Sequence, residues 1–298
     1  MMEELKYCPV CQQEVFEKHL ECKDHTVSGE MFIVVKCASC GFLFTNPRPD
    51  KTNIGKYYKA ESYISHTDTS KGLISKLYKK VRNITIKKKY NLVMKVSGSP
   101  ASLLDIGCGT GFFLSYCQEK GLAVQGVEPD EEARKYGAEK YGLYVFEEDW
   151  LRQVPDRKFD VVTMWHVLEH VHELKTRMET VRRILNPGGT VIIAVPNAES
   201  PDAQYYTEKW AAYDVPRHIY HFSKKDITRL VETFGFDVVG IKPMKFDSYY
   251  VSMLSEKIKG NKLGFVKGMF IGLQSNLKAS GKQPNHSSLI YVLKAHNG

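Results

Sequence analysis

The stretch LLDIGCGTGFF, residues 103–113, decides the fold of this chain. Ser102–Ile106 is predicted as a short buried strand, and Phe112–Gln118 as the start of a helix. The turn between them contains three glycines: Gly107, Gly109 and Gly111. A strand, a glycine-rich turn and a helix in this order are typical of the entrance to a nucleotide-binding βα unit.

The spacing of the glycines argues against a dinucleotide as the ligand. A dinucleotide fingerprint has a third glycine where this sequence has Phe112, and that glycine lets the helix pack beside the pyrophosphate. Asp105, at the end of the strand, would repel a pyrophosphate, whereas its carboxylate suits the ammonium of a methionine-like group. The loop therefore favours a sulfonium-bearing adenosine.

Acidic residues also stand at the ends of the next two predicted strands. Ala123–Val127 is followed by Glu128, whose carboxylate can accept hydrogen bonds from both hydroxyls of a ribose. After the third strand, Asp149 and Trp150 are placed where an adenine edge and face would lie. Ligands of open α/β sheets bind at the carboxyl ends of parallel strands. We therefore expect these residues to line one site.

Five motifs occur in the order of a known enzyme family: LLDIGCGTG, GVEPD, EEDW, FDVVTMWHVLEHV and LNPGGTVIIAVPN. Together they resemble the class I S-adenosylmethionine-dependent methyltransferases, over about two-thirds of the chain from Ser102 onward. The resemblance implies an α/β fold with a Rossmann-like seven-stranded methyltransferase sheet whose last strand is antiparallel. It also implies S-adenosylmethionine as cofactor.

The resemblance further implies a role for each motif residue. It assigns Asp105, Gly107, Cys108 and Gly109 to the methionine portion of the cofactor, Glu128 to the ribose, Asp149 and Trp150 to the adenine, and His166 to the vicinity of the transferable methyl group.

Candidate bases cluster in two segments. In Trp165–His172, His166, Glu169 and His170 are candidates, and on a helix the two histidines would share a face. The resembling family uses this segment for packing beside the cofactor, which is the interpretation we prefer for Glu169 and His170. His166 remains a candidate catalytic residue.

The second segment, Lys209–Ser223, is rich in aromatic residues and histidine, as is typical of the wall of an acceptor pocket. It is loosely similar to the YxHEHxxYFS segment of zinc-ribbon deoxysugar C-methyltransferases, in which the second histidine is held to act as base. Alignment puts that histidine at His218, although Pro216 and Arg217 replace the preceding His-Glu and the long C-terminal region of those enzymes is absent. Arg217 is an alternative, as a clamp for an acceptor carboxylate or phosphate.

Two CxxC pairs near the amino terminus predict a closed, structural zinc ribbon. Cys8, Cys11, Cys37 and Cys40 have the spacing by which two tight turns present four thiolates to one tetrahedral Zn²⁺. A rival set consists of Cys8 and Cys11 together with Cys22 and His25, a pair with CxxH spacing. We favour the double pair because both turns share the same chemistry.

These features predict three regions: a zinc ribbon at 1–50, a basic helical linker or lid at 51–100, and the methyltransferase domain at 101–298. Lys71–Lys95 is basic without an acid and reads as an amphipathic helix with Leu73, Leu77, Val81 and Ile84 on one face. A solvated helix that covers the edge of a domain would account for this pattern, and the alternative is contact with anionic lipid headgroups, RNA or a phosphorylated substrate. Tyr57, Tyr58, Tyr63 and His66 precede this helix, and the resemblance to related methyltransferases implies that the YISH stretch is a lid over the cofactor; aromatic packing is the alternative.

The composition and the absence of long apolar runs indicate where in the cell the protein is expected. The 298 residues carry a net charge of +8 and seven cysteines, an odd number that argues against a complete disulfide set. The first residues, MMEELKYCPV, lack an apolar signal region, and no apolar run is long enough to cross a bilayer. These observations predict a cytoplasmic protein and leave its oligomeric state open.

Three functions fit these features. The leading one is a small-molecule methyltransferase whose acceptor is a sugar, a lipid or a polyketide-like compound. An RNA methyltransferase would use the ribbon and the basic helix to bind phosphates, but MWHV stands where a base-flipping NPPY-type motif would follow the fourth strand. A noncatalytic protein that keeps the cofactor fold is the third, and the intact glycine and acidic positions argue against it.

Overall fold

The computed structural model describes residues 1–58, 73–281 and 284–296, with the backbone alone for 73–80. The lid residues Tyr63 and His66 therefore lie outside the described residues. The strands are β1 (Met2–Glu3), β2 (Phe16–Lys23), β3 (Met31–Cys37), β4 (Leu43–Thr45), β5 (Arg48–Pro49), β6 (Ser102–Ile106), β7 (Ala123–Val127), β8 (Val145–Phe146), β9 (Phe159–Trp165), β10 (Leu185–Pro196), β11 (Tyr220–His221), β12 (Phe236–Pro243) and β13 (Ser288–Ala295). The α-helices are α1 (Leu73–Ser97), α2 (Phe112–Glu119), α3 (Glu131–Tyr141), α4 (Leu174–Ile184), α5 (Pro201–Tyr206), α6 (Lys224–Thr233), α7 (Lys245–Ile258) and α8 (Gly264–Ala279).

A seven-stranded sheet forms the centre of the molecule, in the order β12-β13-β10-β9-β6-β7-β8. The last strand, β13, is antiparallel to both of its neighbours, and the other described pairs of this sheet are parallel. Its central strands are apolar and buried, because helices cover both faces. The predicted fold class is confirmed, and β6 and β7 have the predicted bounds.

A second sheet joins the amino-terminal region to the rest of the chain. Its order is β11-β4-β3-β2, and β11 comes from the segment that follows β10. Tyr220 pairs with Phe44, and the rings of Phe42 and Phe222 lie 5.5 Å apart. The cysteine-bearing region is therefore attached to the histidine-rich segment by backbone pairing and by aromatic packing.

The segment between β12 and β13, for which the sequence shows no clear pattern, forms two helices that pack on each other. These helices, α7 and α8, make a hairpin beside α5. Among the described residues, no helix is long and apolar enough to cross a membrane.

Two segments differ from the forms that the sequence pattern suggested, as far as the described side chains show. Trp165–His172 is not an α-helix, because the chain turns sharply at the end of β9: His166 has φ of +58° and a single 3-10 turn covers Leu168–His170. In α1, Ile84 is 39% exposed, and the packed face is formed instead by residues such as Val93, which is fully buried. Helix α1 packs on α2, β9 and β10, so these tertiary contacts determine which of its side chains are buried.

Candidate active site

A cleft of about 1450 Å³ runs along the carboxyl ends of β6, β7 and β9. Its walls include the glycine loop and the acids predicted for the cofactor, and they also include histidines and Tyr58. Pockets for one small ligand usually measure roughly 300–1000 Å³. The cleft therefore has room for a cofactor and a second molecule.

The glycine loop has the conformation that its sequence demands. Gly107 has φ of +74°, and a Cβ there would lie 2.4 Å from a methyl carbon of Val167. Gly109 also has a positive φ, of +55°, but a Cβ there would meet no atom within 4 Å. Since Gly109 lines the cleft, a side chain at this position would project into the space for the ligand.

Glu128 connects the end of β7 to this loop. Its two carboxylate oxygens accept hydrogen bonds from the amides of Gly109, at 2.8 Å, and Asp130, at 3.0 Å. Burial raises the pKa of Glu128 above its ordinary value, and the two amides only partly oppose that rise. Each oxygen keeps a lone pair for a further donor, as binding of a ribose would require.

Asp105 lies at the bottom of the cleft and is almost completely buried. Burial raises its pKa to about 7, although the hydroxyl of Thr163 donates a hydrogen bond to Oδ1 at 2.6 Å and Lys89 lies nearby. A cation bound next to Asp105 would favour the charged carboxylate. The role of Asp105 in binding a positively charged group of the ligand stays a prediction.

At the adenine end, the structure separates the two predicted residues. Asp149 lines the cleft, but Trp150 is not among the residues that line it. The indole of Trp150 stacks on Phe146, with ring centroids 4.1 Å apart, and packs against the hydrophobic core. Asp149 is thus placed to contact a ligand, whereas the role of Trp150 stays a prediction.

His166 lies on the cleft wall between two carboxylates. Its Nδ1 is 3.3 Å from Oε1 of Glu169, and its Nε2 is 3.1 Å from Oδ2 of Asp247 on α7. Burial alone would lower its pKa, but the two carboxylates outweigh burial and raise the pKa to about 10. At neutral pH His166 is a cation, so it is poorly suited to accept a proton.

A second histidine pair lies next to Glu169. The rings of His170 and His218 are 4.6 Å apart. Of these two histidines, His170 lines the cleft and His218 does not. Nδ1 of His218 is 2.8 Å from the carbonyl oxygen of Ala212, and Nδ1 of His170 is 3.0 Å from the hydroxyl of Tyr58. His218 is therefore one layer behind the cleft wall.

The same cluster contains a buried carboxylate. Glu169 is 0% exposed, and its oxygens have no hydrogen-bond donor in the described part of the chain, although His166 is within ion-pair distance. Ligand atoms of Glu169, His170 and His218 lie within 4.8 Å of one another. Burial and the proximity of His218 lower the pKa of His170 to about 4, so its imidazole is neutral at pH 7.

Arg217 does not reach the cleft. It is buried, and its guanidinium binds both carboxylate oxygens of Asp214 and the carbonyl oxygen of Tyr57. The interpretation of Arg217 as a clamp for the acceptor is wrong. Its guanidinium N–H groups are used within the protein, where they join Asp214 to the backbone of Tyr57.

Sequence reasoning missed two charged residues of the site. Lys89, on α1, lines the cleft with its Nζ 4.3 Å from the ring centroid of Trp165. Burial lowers the pKa of Lys89, while Asp105 and Asp247 partly restore it. Lys89 belongs to a run of lysines with no local signal to distinguish it, and Asp247 belongs to a segment without a recognisable motif.

The four predicted zinc ligands come together in the amino-terminal region. The Sγ atoms of Cys8 and Cys40 lie 3.6 Å apart and those of Cys11 and Cys37 lie 3.5 Å apart, and all four fall within 4.8 Å of one another. These separations fit four thiolates around one tetrahedral Zn²⁺, with Zn–S bonds of about 2.3 Å.

The rival zinc set does not assemble. Cys22 is buried in a different hydrophobic cluster, beside Phe32 and Val34. His25 lies on a separate surface pocket between β2 and β3. The donors present in the double pair therefore fit a structural zinc ion, and those of the rival set do not.

Comparison with known proteins places this site in a family. A family model described as a methyltransferase domain matches residues 78–241, which is more than half of the chain. The protein belongs to this methyltransferase family. Together with the curated relatives described below, the match identifies it as an S-adenosylmethionine-dependent methyltransferase.

Curated relatives share part of the chain. The protein is 24% identical over 168 residues to a ubiquinone biosynthesis O-methyltransferase of Idiomarina loihiensis, which covers 52% of this chain and 69% of that protein. It is 27% identical over 143 residues to a probable S-adenosylmethionine-dependent methyltransferase of Mycolicibacterium smegmatis, covering 46% and 52% of the two chains. The match thus extends over about half to two-thirds of these relatives.

Solved structures show the same fold. A putative sarcosine dimethylglycine methyltransferase from Galdieria sulphuraria matches with a TM-score of 0.53 and 12% identity, over 74% of this chain and 88% of that chain. A 1,6-didemethyltoxoflavin-N1-methyltransferase from Burkholderia thailandensis matches with a TM-score of 0.50 and 15% identity, over 93% and 100%. At these identities the likeness shows the fold and does not extend to the substrate.

Proposed function

We propose that the protein transfers a methyl group from S-adenosylmethionine to a small-molecule acceptor bound at the histidine end of the cleft. The observation that carries this proposal is one continuous cleft, lined by Asp105, Gly109 and Glu128 and also by Tyr58 and His170. Its volume of about 1450 Å³ allows both molecules to lie in it together.

The chain's own residues would align the two molecules. S-adenosylmethionine supplies an already activated methyl group on a sulfonium, so the protein must chiefly orient the acceptor and exclude water. Asp105 would bind the ammonium, Glu128 the ribose hydroxyls, and Asp149 the adenine. Gly107, Cys108 and Gly109 would bring the backbone close to the methionine portion, and positive φ angles at the two glycines support this role.

We infer that His170 accepts the acceptor's proton where a proton must be removed. It lines the cleft and is neutral at pH 7, whereas His166 is charged. His218 contacts His170 from behind and would position its ring, so His218 acts on the acceptor through His170. This role differs from that of the direct base expected for His218 from the sequence.

The RNA-methyltransferase alternative gains no specific support from the site. Two basic residues of α1, Arg82 and Lys89, line the cleft beside the cofactor end. The exposed lysines of α1, such as Lys87 and Lys88, are not among the residues that line the cleft. We therefore do not propose a nucleic acid as the acceptor.

The first test is calorimetric titration of the zinc-loaded protein with S-adenosylmethionine and S-adenosylhomocysteine. Gly109→Leu should abolish binding, because its side chain would project into the cleft. Gly121→Leu is the matched control: Gly121 also has a positive φ and open space, but it does not line the cleft. Binding to neither ligand by the wild type, or equal loss in both variants, would contradict the cofactor assignment.

The second test is a screen of phenols, amines and acidic carbon compounds for formation of S-adenosylhomocysteine. With a working acceptor, His170→Gln should lower kcat by roughly a hundredfold or more and leave cofactor affinity unchanged. His218→Gln should lower kcat less and shift the pH profile. Unchanged turnover in His170→Gln would overturn its role as proton acceptor.

A further inference from the structure

The α7–α8 hairpin has small residues inside. The buried faces of the two helices carry Ser248, Ser252 and Ser255 on α7, and Gly264, Gly268 and Gly272 on α8. A Cβ at Gly268 would lie 2.6 Å from Cα of Met253, and one at Gly272 would lie 2.7 Å from Cα of Tyr249. The backbones are in close contact, so the hairpin has no room for large side chains between its helices.

The large apolar side chains of α8 and the turn before it point outward instead. Seven of them are between 40% and 72% exposed: Leu263, Phe265, Val266, Met269, Phe270, Leu273 and Leu277. Those on α8 recur at helical spacing, so they lie on one side of the helix. We call these seven residues the apolar face. An exposed patch of this kind marks an interaction site on a folded protein.

The hairpin is held firmly to the body of the protein. Ser275, on the inner side of α8, donates a hydrogen bond of 2.7 Å to Oδ1 of the buried Asp202. Asp202 also accepts from the indole of Trp210 at 2.8 Å and from the hydroxyl of Ser287 at 2.6 Å. Rotating α8 to bury the apolar face would break this network, so that face stays outward.

The charges around the apolar face are of one sign. The two acids of the hairpin are turned inward, Asp247 to His166 and the fully buried Glu256 to Tyr206 and Lys267. The exposed charged residues of the two helices and their connection are lysines: Lys245, Lys257, Lys259, Lys262 and Lys278. An apolar helix face on a hairpin whose exposed charged residues are all lysines is typical of helices that lie in the surface of an anionic membrane.

We propose that the apolar face docks the protein on the surface of an anionic lipid bilayer. The large residues would enter the boundary between headgroups and acyl chains, while the lysines contact lipid phosphates. A second copy of the chain fits less well, because a symmetric pairing would bring the same lysines against each other. The docking does not depend on the proposed methyl transfer, although Asp247 places the hairpin next to the cleft.

The experiment is co-sedimentation of the full, zinc-loaded chain with two kinds of vesicle, phosphatidylcholine alone and phosphatidylcholine with phosphatidylglycerol. The wild type should bind the second kind preferentially, and less so at high salt. Phe265→Ser combined with Phe270→Ser should weaken this binding by roughly a hundredfold, since each phenylalanine loses most of its apolar contact. Replacing Lys257 and Lys262 by Gln should weaken it by roughly tenfold or more.

A control variant combines Tyr144→Ser with Val15→Ser, whose side chains are 70% and 63% exposed on other surfaces. It should bind vesicles like the wild type, and all variants should keep the wild-type affinity for S-adenosylhomocysteine. Lys87→Gln with Lys88→Gln tests the basic helix α1 as a rival surface.

Three results would overturn the proposal. The first is a wild type that binds neither vesicle. The second is binding that the Lys87 and Lys88 variant loses and the Phe265 and Phe270 variant keeps. The third is a wild-type dimer without vesicle binding that the Phe265 and Phe270 variant converts to a monomer, because the face would then join two copies of the chain.

Discussion

His166, on the wall of the cleft, forms an ion pair with Asp247, with Nε2 of the imidazole 3.1 Å from Oδ2 of the carboxylate. His166 follows the strand β9, whereas Asp247 is in the first turn of α7, 81 positions later in the chain. The pair therefore ties the hairpin that carries the apolar face to the wall of the active site. It also explains why a histidine beside the cofactor site is held as a cation.

The ion pair should make a pH-dependent contribution to stability. The folded-state pKa of His166, about 10, lies above its unfolded value of 6.5. The stabilisation is fully present below pH 6.5 and is lost as the pH rises through 10. His166→Gln should lower the free energy of unfolding by about 1 kcal/mol near pH 6.5, and the difference from wild type should shrink towards pH 10 in urea titrations.

Asp247→Asn is the partner variant for this prediction. It removes one of the two carboxylates beside His166, so it should lower stability less than His166→Gln does, and the effects of the two changes should be less than additive in the double variant. A constant difference between wild type and His166→Gln across this pH range would contradict the assignment.

Cofactor affinity should rise with pH below neutrality. The pKa of Asp105 is about 7 in the ligand-free protein because the carboxyl is buried, so below pH 7 it is mostly protonated and cannot pair with an ammonium. The affinity for S-adenosylmethionine should therefore rise by about tenfold from pH 6 to pH 8, measured by calorimetry. Asp105→Asn should bind weakly and lose most of this pH dependence. An equally steep profile in that variant would exclude Asp105 as its source.

Loss of the Glu128 carboxylate should weaken cofactor binding strongly. Glu128→Gln removes a charged acceptor that also orders the amide of Gly109. Hydrogen bonds to charged groups contribute about 1.5–3 kcal/mol, so the Kd should increase by roughly ten- to a hundredfold. Glu179→Gln, in an exposed ion pair on α4, should leave the Kd unchanged. Equal Kd values for the two variants would count against ribose binding by Glu128.

The zinc site predicts different metal contents for two cysteine variants. The wild type should hold one zinc ion per chain, and Cys37→Ser should lose it with a drop in stability of roughly 3 kcal/mol or more. Cys22→Ser should keep its zinc, because Cys22 lies in another cluster. Metal analysis of the purified variants distinguishes the two ligand sets. Zinc retained by Cys37→Ser and lost by Cys22→Ser would favour the rival set.

Zinc removal should also loosen the segment that carries His218. Tyr220 pairs with Phe44 and Phe222 packs on Phe42, so the ribbon supports this segment directly. Chelation should speed hydrogen exchange in residues 210–222 and change the affinity for S-adenosylhomocysteine little, since Glu128 and the glycine loop lie elsewhere. Unchanged exchange after complete zinc loss would contradict this coupling.

The cofactor end of the site could be predicted from sequence because each part of it is local. A strand, a glycine turn and a helix occupy consecutive residues, and β6 and β7 have the bounds predicted for them. Parallel strands bring their carboxyl ends to one edge, so Asp105 and Glu128 had to meet there. The cysteine pairs could be predicted for the same reason, since the two cysteines of each pair lie in one tight turn.

The acceptor end could not be predicted in the same way. His170 and His218 are 48 positions apart, and which of them faces the cleft depends on the turn after β9 and on the pairing of β11 with β4. The partners of Arg217 include Tyr57, from a segment far away in the chain. Its chemistry therefore suggested an acceptor clamp, whereas its contacts show a structural ion pair.

By itself, the sequence determined the fold family, the sheet edge at which Asp105 and Glu128 lie and the set of four cysteines that come together. Those features depend on strand ends and turns, whose geometry is set by neighbouring residues. Only the tertiary structure decided that His166 is a cation, that His218 lies behind His170 and that α8 turns its large residues outward. Each of these depends on close packing between distant segments, because burial and nearby charges, which no local pattern encodes, set the protonation and the exposure of a side chain.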